Sequence, residues 1–141
     1  MARTDVRRDR TPRVVAVGLW CAAWACVAAA IVLSLAPRSS ADPATPGDKL
    51  AHLSGYSVMA LCFLTAAVWA PGRGRGRLRD RPGRVVGGVI GFSFCLELLQ
   101  PLVGRTADVG DAAANALGAA LGWALWVWLR RRWEKRWPAP G

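Results

Sequence analysis

Four stretches of the chain, residues 14–36, 50–70, 85–103 and 112–129, carry almost no charge. A bilayer hydrocarbon core about 30 Å thick is crossed by roughly 17–25 helical residues, and each stretch falls in that range. The sequence therefore predicts an all-α polytopic membrane protein with four transmembrane helices. Its 53% hydrophobic and 20% charged residues are segregated, the charges filling the short segments between the stretches. A water-facing helix keeps a polar stripe at the 3.6-residue period. The first stretch, VVAVGLWCAAWACVAAAIVLSLA, has none: its polar groups are indoles, two thiols and Ser34.

The expected organisation is a basic tail over 1–13, a four-helix membrane domain over 14–129, and a basic, Trp-rich tail over 130–141. Five arginines before the first stretch, and Ser39–Ala41 after it, give some likeness to a secretory signal peptide. The apolar run, however, well exceeds the roughly 7–15 residues of such signals, which favours retention of the first helix. Arg7 and Arg8 lack the residues that follow a twin-arginine signal. Cys21, Cys26, Cys62 and Cys95 lie inside the apolar stretches without CxxC spacing. They read as small hydrophobes, and no disulfide framework, metal site or cofactor is implied.

The net charge of +10 and the segment GRGRGRLRDRPGR invite a nucleic-acid reading. Position argues for a membrane instead, because Lys and Arg concentrate on the cytoplasmic side of membrane proteins. Arg3, Arg7, Arg8, Arg10 and Arg13 precede the first stretch. Arg73, Arg75, Arg77, Arg79, Arg81 and Arg84 lie between the second and third, and Arg130, Arg131, Arg132, Lys135 and Arg136 follow the fourth. Only Arg38, Lys49 and Arg105 belong to the other side, so both termini are expected inside and no nucleic-acid partner is implied. Trp69, Trp126, Trp128, Trp133 and Trp137 sit at or beyond the same cytoplasmic ends, as an interfacial anchor would.

With that topology the outer ends of helices two, three and four meet at one face, and each carries polar groups. Helix two supplies Asp48, Lys49, His52 and Tyr56; helix three supplies Glu97 and Gln100; the following loop and helix four supply Arg105, Asp108, Asp111 and Asn115. Residues three or four apart share a helix face. Asp48, His52 and Tyr56 thus form one stripe, Glu97 and Gln100 a second, and Asp111 and Asn115 a third. The last is continued by Gly118 and Gly122 at the spacing of a close-packed helix seam. Gly87 and Gly91 repeat that spacing on helix three.

Simpler roles exist for several of these residues. Asp48 and Asp111 each follow a glycine at a helix start and read as N-caps. Lys49 and Arg105 read as snorkelling cations, and Tyr56 and Asn115 as interhelical hydrogen-bond partners. His52, the sole histidine, and Glu97, the sole acid within an apolar stretch, are different. An ionisable group at membrane depth costs at least a few kcal/mol unless it is paired or wet, which marks both as functional-site candidates.

These motifs, DKLAHLSGY and ELLQPLVGRTADVGDAAANALGAALG, resemble the VanZ-like family of small bacterial membrane proteins. The family pattern has an Asp-Lys pair, a His three residues after the Lys and a Tyr four beyond, matched by Asp48, Lys49, His52 and Tyr56. It continues with Glu and Gln three apart, an Arg, and then Asp, Asn and Gly, matched by Glu97, Gln100, Arg105, Asp111, Asn115 and Gly118. The resemblance covers roughly residues 48–122. It departs at Leu53, where an aromatic is usual, and Asp108 stands where relatives have Ser or Asp.

The resemblance implies a multi-pass protein of the bacterial cytoplasmic membrane. The family's namesake accompanies glycopeptide resistance and gives low-level protection against teicoplanin, a lipid-tailed glycopeptide. The leading reading is a non-enzymatic protein of the cell envelope. Its outer polar cluster would bind a lipid headgroup, a lipid-linked wall precursor or a lipid-tailed glycopeptide, Lys49 and Arg105 taking phosphate and the acids an amine or sugar. An intramembrane enzyme using His52 or Glu97 as general acid or base is the alternative, although no nucleophile and no HExxH motif is present. A structural or assembly role, through an oligomer or a partner protein, is the third.

Overall fold

The computed structural model describes residues 10–36, 46–69 and 81–136. Arg3, Arg7, Arg8, Arg38, the loop arginines 73, 75, 77 and 79, and Trp137 lie outside the described residues. The architecture is all-helical: α1 (Arg10–Leu35), α2 (Pro46–Trp69), α3 (Pro82–Leu99), a 3-10 turn (Gln100–Val103) and α4 (Val109–Arg136). Each helix contains a segment long and apolar enough to cross a membrane: Val14–Leu35, Gly47–Val68, Pro82–Val103 and Val109–Trp133. Only a third or less of each segment is buried inside the bundle. Val14, Leu33, Leu98 and Leu117 point outward, an apolar exterior that suits lipid and that soluble monomers rarely show.

Local chemistry sets the helix ends. α2 opens on Pro46 and α3 on Pro82, a residue whose missing N–H costs nothing at the first helical position. Helix three stops at Leu99, short of residue 103, because Pro101 can neither donate to the α-helical ladder nor avoid the preceding turn. The chain tightens into the 3-10 turn, and Gly104 reverses it at φ 77, its N–H bonding to Pro101 O. That left-handed conformation favours glycine.

Helix four runs further than its apolar stretch. No Gly or Pro interrupts residues 123–137, so the segment read as a tail from 130 stays helical through Arg136. Its 28 residues extend about 42 Å at 1.5 Å per residue, which carries the last turns beyond a hydrocarbon core about 30 Å thick. Trp128 and Trp133 are exposed there, as interfacial anchors are, with Arg132 stacked 4.3 Å over the Trp128 ring. Trp126 differs from that expectation: it is buried in the core with Arg130 over its ring.

The central contact is between α2 and α4, and α1 packs mainly on α2. Tyr56, Met59, Ala60, Leu64, Val86, Val89, Ala119 and Trp126 form the core. Trp20 and Trp24 of α1 meet Phe63 edge-on at 5.7 and 5.8 Å. The α2–α4 seam depends on Gly118 and Gly122. A side chain at either position would run into backbone, the Leu53 carbonyl oxygen at Gly118 and the Ser57 carbonyl oxygen at Gly122. α2 and α4 thus lie side by side in the same direction. Ser57 Oγ lies across the seam, 2.9 Å from Gly118 O and 2.7 Å from Leu53 O of its own helix, and its single proton is shared between these two acceptors. Gly87 and Gly91, by contrast, face open space.

Replacing Gly118 by Leu is expected to cost about 1–3 kcal/mol, as overpacking of a close seam does, and to lower the unfolding midpoint in detergent. Gly91→Leu, on an open face, should leave the midpoint unchanged. An unaltered midpoint in Gly118→Leu would contradict this packing.

Candidate functional site

The polar stripes of α2, α3 and α4 meet at one end of the bundle. His52 holds its centre. Its Nδ1 lies 3.0 Å from Asn115 Oδ1 and its Nε2 lies 3.6 Å from Asp111 Oδ2. Asn115 Nδ2 in turn donates to Glu97 Oε1 at 3.5 Å. The result is a chain of four side chains, Asp111–His52–Asn115–Glu97, that stitches three helices together.

The order of donors along this chain follows from chemistry. A carboxylate only accepts, so the Asn115 amide nitrogen faces Glu97 and its oxygen faces His52. The Nδ1 of His52 therefore carries a proton. Its Nε2 faces Asp111 at an ion-pair distance, beyond a hydrogen bond. The Nδ1 is thus engaged by Asn115, while Nε2 stands beside Asp111 without bonding to it.

Glu97, Gln100, Asp111 and Asn115 are 4%, 1%, 8% and 1% exposed, values that place real polar groups away from solvent. Buried polar atoms are normally hydrogen-bonded. Among the described residues four have no partner: Tyr56 Oη, Glu97 Oε2, Gln100 Nε2 and Asp111 Oδ1. Asp111, His52 and Arg105 lie within electrostatic reach of the Glu97 carboxylate, as Tyr56 does. The unpartnered atoms of Glu97, Asp111 and Tyr56 therefore belong to one neighbourhood, and Gln100, three residues after Glu97, adds a buried donor at the end of the same helix.

Residues of the loop before α4 build the rim, and here the simpler readings change. Asp108 caps α4: its Oδ1 accepts from Gly110 N at 2.6 Å, and its backbone oxygen accepts from Asp111 N and Ala112 N. Asp111 lies inside the first turn, which frees its carboxylate to face His52. Asp48 likewise sits inside the first turn of α2, which begins two residues earlier. Lys49 is exposed, and its ammonium lies over Gly110, where a side chain would collide with it.

Arg105 does more than snorkel. Its Nη1 donates to Leu33 O at 2.8 Å and Ser34 O at 3.0 Å. These carbonyls sit in the last turn of α1, where no helical N–H follows to satisfy them. Arg105 thereby ties α1 to the polar end. Of the proposed interhelical partners, Asn115 serves as one, whereas the Tyr56 hydroxyl has no partner among the described residues.

Two contributors escaped the sequence reading. Ser57 carries the seam described above, and its position one turn beyond Leu53 was the available signal. Ser93 is 2% exposed and donates to Ile90 O; its place four residues before Glu97 extends the buried stripe of α3. Cys21, Cys26, Cys62 and Cys95 are free thiols. Among the described residues no group of three or more His, Cys, Asp or Glu side chains is arranged to hold a metal ion.

With this geometry in view, comparison with known families is direct. A family model described as VanZ/LLP1 matches residues 22–130. The chain belongs to the VanZ-like family. The match spans all the residues of the polar site and the Gly118–Gly122 seam. No curated protein matches significantly, and neither does any solved structure. In this VanZ-like bundle the Asp, His, Glu and Asn of the motif are therefore one connected unit.

Asn115→Leu removes the middle of that unit and leaves His52 Nδ1 and Glu97 Oε1 buried without partners. A loss of about 1–3 kcal/mol in unfolding stability is expected, measurable by denaturant titration in micelles. A variant as stable as wild type would show that the four side chains are not coupled.

Proposed function

We propose that this VanZ-like protein resides in the bacterial cytoplasmic membrane with both termini inside, and that its outer polar cluster binds the polar head of a lipid-anchored molecule. The orientation is supported by the charge distribution, with sixteen of the nineteen Lys and Arg residues assigned to one side. The binding reading rests on one observation, the four buried and unpartnered polar atoms of Tyr56, Glu97, Gln100 and Asp111. Groups left unsatisfied at membrane depth are costly, and a ligand that pairs with them recovers that cost.

Their chemistry narrows the ligand. Glu97 Oε2 and Asp111 Oδ1 accept from an amine or sugar hydroxyl, and Gln100 Nε2 donates to an oxygen. Lys49 on the rim suits a phosphate. Arg105 keeps two of its donations for α1, so its part in holding an anion falls to its remaining N–H groups. A lipid-linked wall precursor or a lipid-tailed glycopeptide carries such a polar head at the outer face.

Titration of purified protein with fluorescent teicoplanin and with a labelled lipid-linked wall precursor tests the reading. Glu97→Gln is expected to weaken binding of the recognised ligand about tenfold, the size of one lost charge-assisted hydrogen bond. In a sensitive host at matched membrane levels, the same variant should lose any teicoplanin protection that wild type gives. Equal binding of both ligands by wild type and Glu97→Gln would contradict the proposal.

A further inference from the structure

At the end of the bundle away from the polar cluster, α1 and α3 leave space between them. Arg105 and the Gln100–Val103 turn hold α1 at the other end. Between the remaining halves lies a groove of about 390 Å³. Trp24 of α1 and Gly88 and Phe92 of α3 form its sides, and Met59 and Phe63 of α2 form its floor. All five lie within the membrane-crossing segments. The volume is that of a small-ligand site, yet the lining offers no polar side chain to orient a soluble ligand except at one end.

That end is Arg84. Arg81, one turn earlier, is exposed beside it. α3 begins here with no side-chain cap and no acidic residue in its first turn. Few N–H groups are free in this first turn, since Pro82 has none and Arg84 N donates to Arg81 O, so the positive charge at this end is that of the guanidinium groups. A cationic, uncapped helix start therefore adjoins an apolar trough. From Arg84 to Phe92 the trough follows about 12 Å of helix. Gly88 keeps it open, since a Cβ there would meet nothing within 4 Å.

We propose that this groove holds one acyl chain of an anionic phospholipid, with the phosphate seated on Arg84. Bilayer chains are the apolar occupant available at this depth. Charge complementarity selects an anionic head over a zwitterionic one, since a zwitterion brings its own cation to the guanidinium. The site is separate from the polar cluster and does not depend on what that cluster binds.

Native mass spectrometry of the purified full chain, equilibrated in micelles with phosphatidylglycerol or phosphatidylcholine, provides the test. Wild type is expected to retain one phosphatidylglycerol in preference to phosphatidylcholine by about fivefold, the contribution of one cation at a lipid headgroup. Arg84→Gln should erase the preference. Gly88→Leu, which fills the groove without a clash, should lower phosphatidylglycerol retention several-fold, while Gly91→Leu, on open surface outside the groove, should not. Equal retention of the two lipids by wild type would overturn the proposal, as would retention indifferent to Gly88→Leu. A change in oligomeric mass with Gly88→Leu, without a change in lipid retention, would assign the groove to a second copy of the chain instead.

Discussion

The chain of contacts from Asp111 through His52 and Asn115 to Glu97 is the interaction on which the polar end of the molecule depends. In a bilayer, apolar helices gain little by leaving lipid for one another, because lipid tails are as apolar as Leu. Hydrogen bonds between helices, close backbone approach and shape must supply the specificity. This protein uses all three between α2 and α4. The seam at Gly118 and Gly122 brings the backbones together, Ser57 bonds across it, and one turn further out Asn115 reaches His52. Glu97 then recruits α3, and Arg105 recruits α1 through its last carbonyls.

The same cluster has more polar capacity than its internal bonds consume. If it served only to join helices, an arrangement with every buried group paired would be more stable. The unpartnered atoms of Glu97, Asp111, Gln100 and Tyr56 are instead concentrated beside the hydrogen-bond chain. Structural glue and binding site are in this sense one object. The chain fixes the side chains in place and leaves one oxygen on each acid for something else. The opposite end is organised by other means, with aromatic edges on Phe63, cations over Trp126 and Trp128, and a groove between α1 and α3.

Much of the fold was legible in the sequence because bilayer thickness imposes a length that composition reveals. All four spans are found, with ends displaced where local chemistry overrides hydropathy: Pro101 shortens helix three, and the absence of a breaker after Trp123 lengthens helix four. Helical periodicity also grouped the polar residues into the stripes that the structure brings together. What periodicity could not supply was the assignment of partners. Asp108 and Asp111 both precede or open the same helix, and only the backbone path decides that Asp108 caps while Asp111 turns to His52. Arg105 looked like a surface cation because its partners are main-chain carbonyls some seventy residues away, which leave no mark in side-chain patterning. Trp126 looked interfacial by position along the chain, whereas its face of α4 points into the core.

Because His52 is the sole histidine, its ring can be read alone. Nitrogen-15 NMR of histidine-labelled protein in bilayers reports which ring nitrogen carries a proton and to what it is bonded. The expected result is a proton on Nδ1, hydrogen-bonded to Asn115 and disturbed by Asn115→Leu. A ring protonated only at Nε2, unaffected by substitution at Asn115, would contradict the hydrogen-bond chain and with it the organisation of the site.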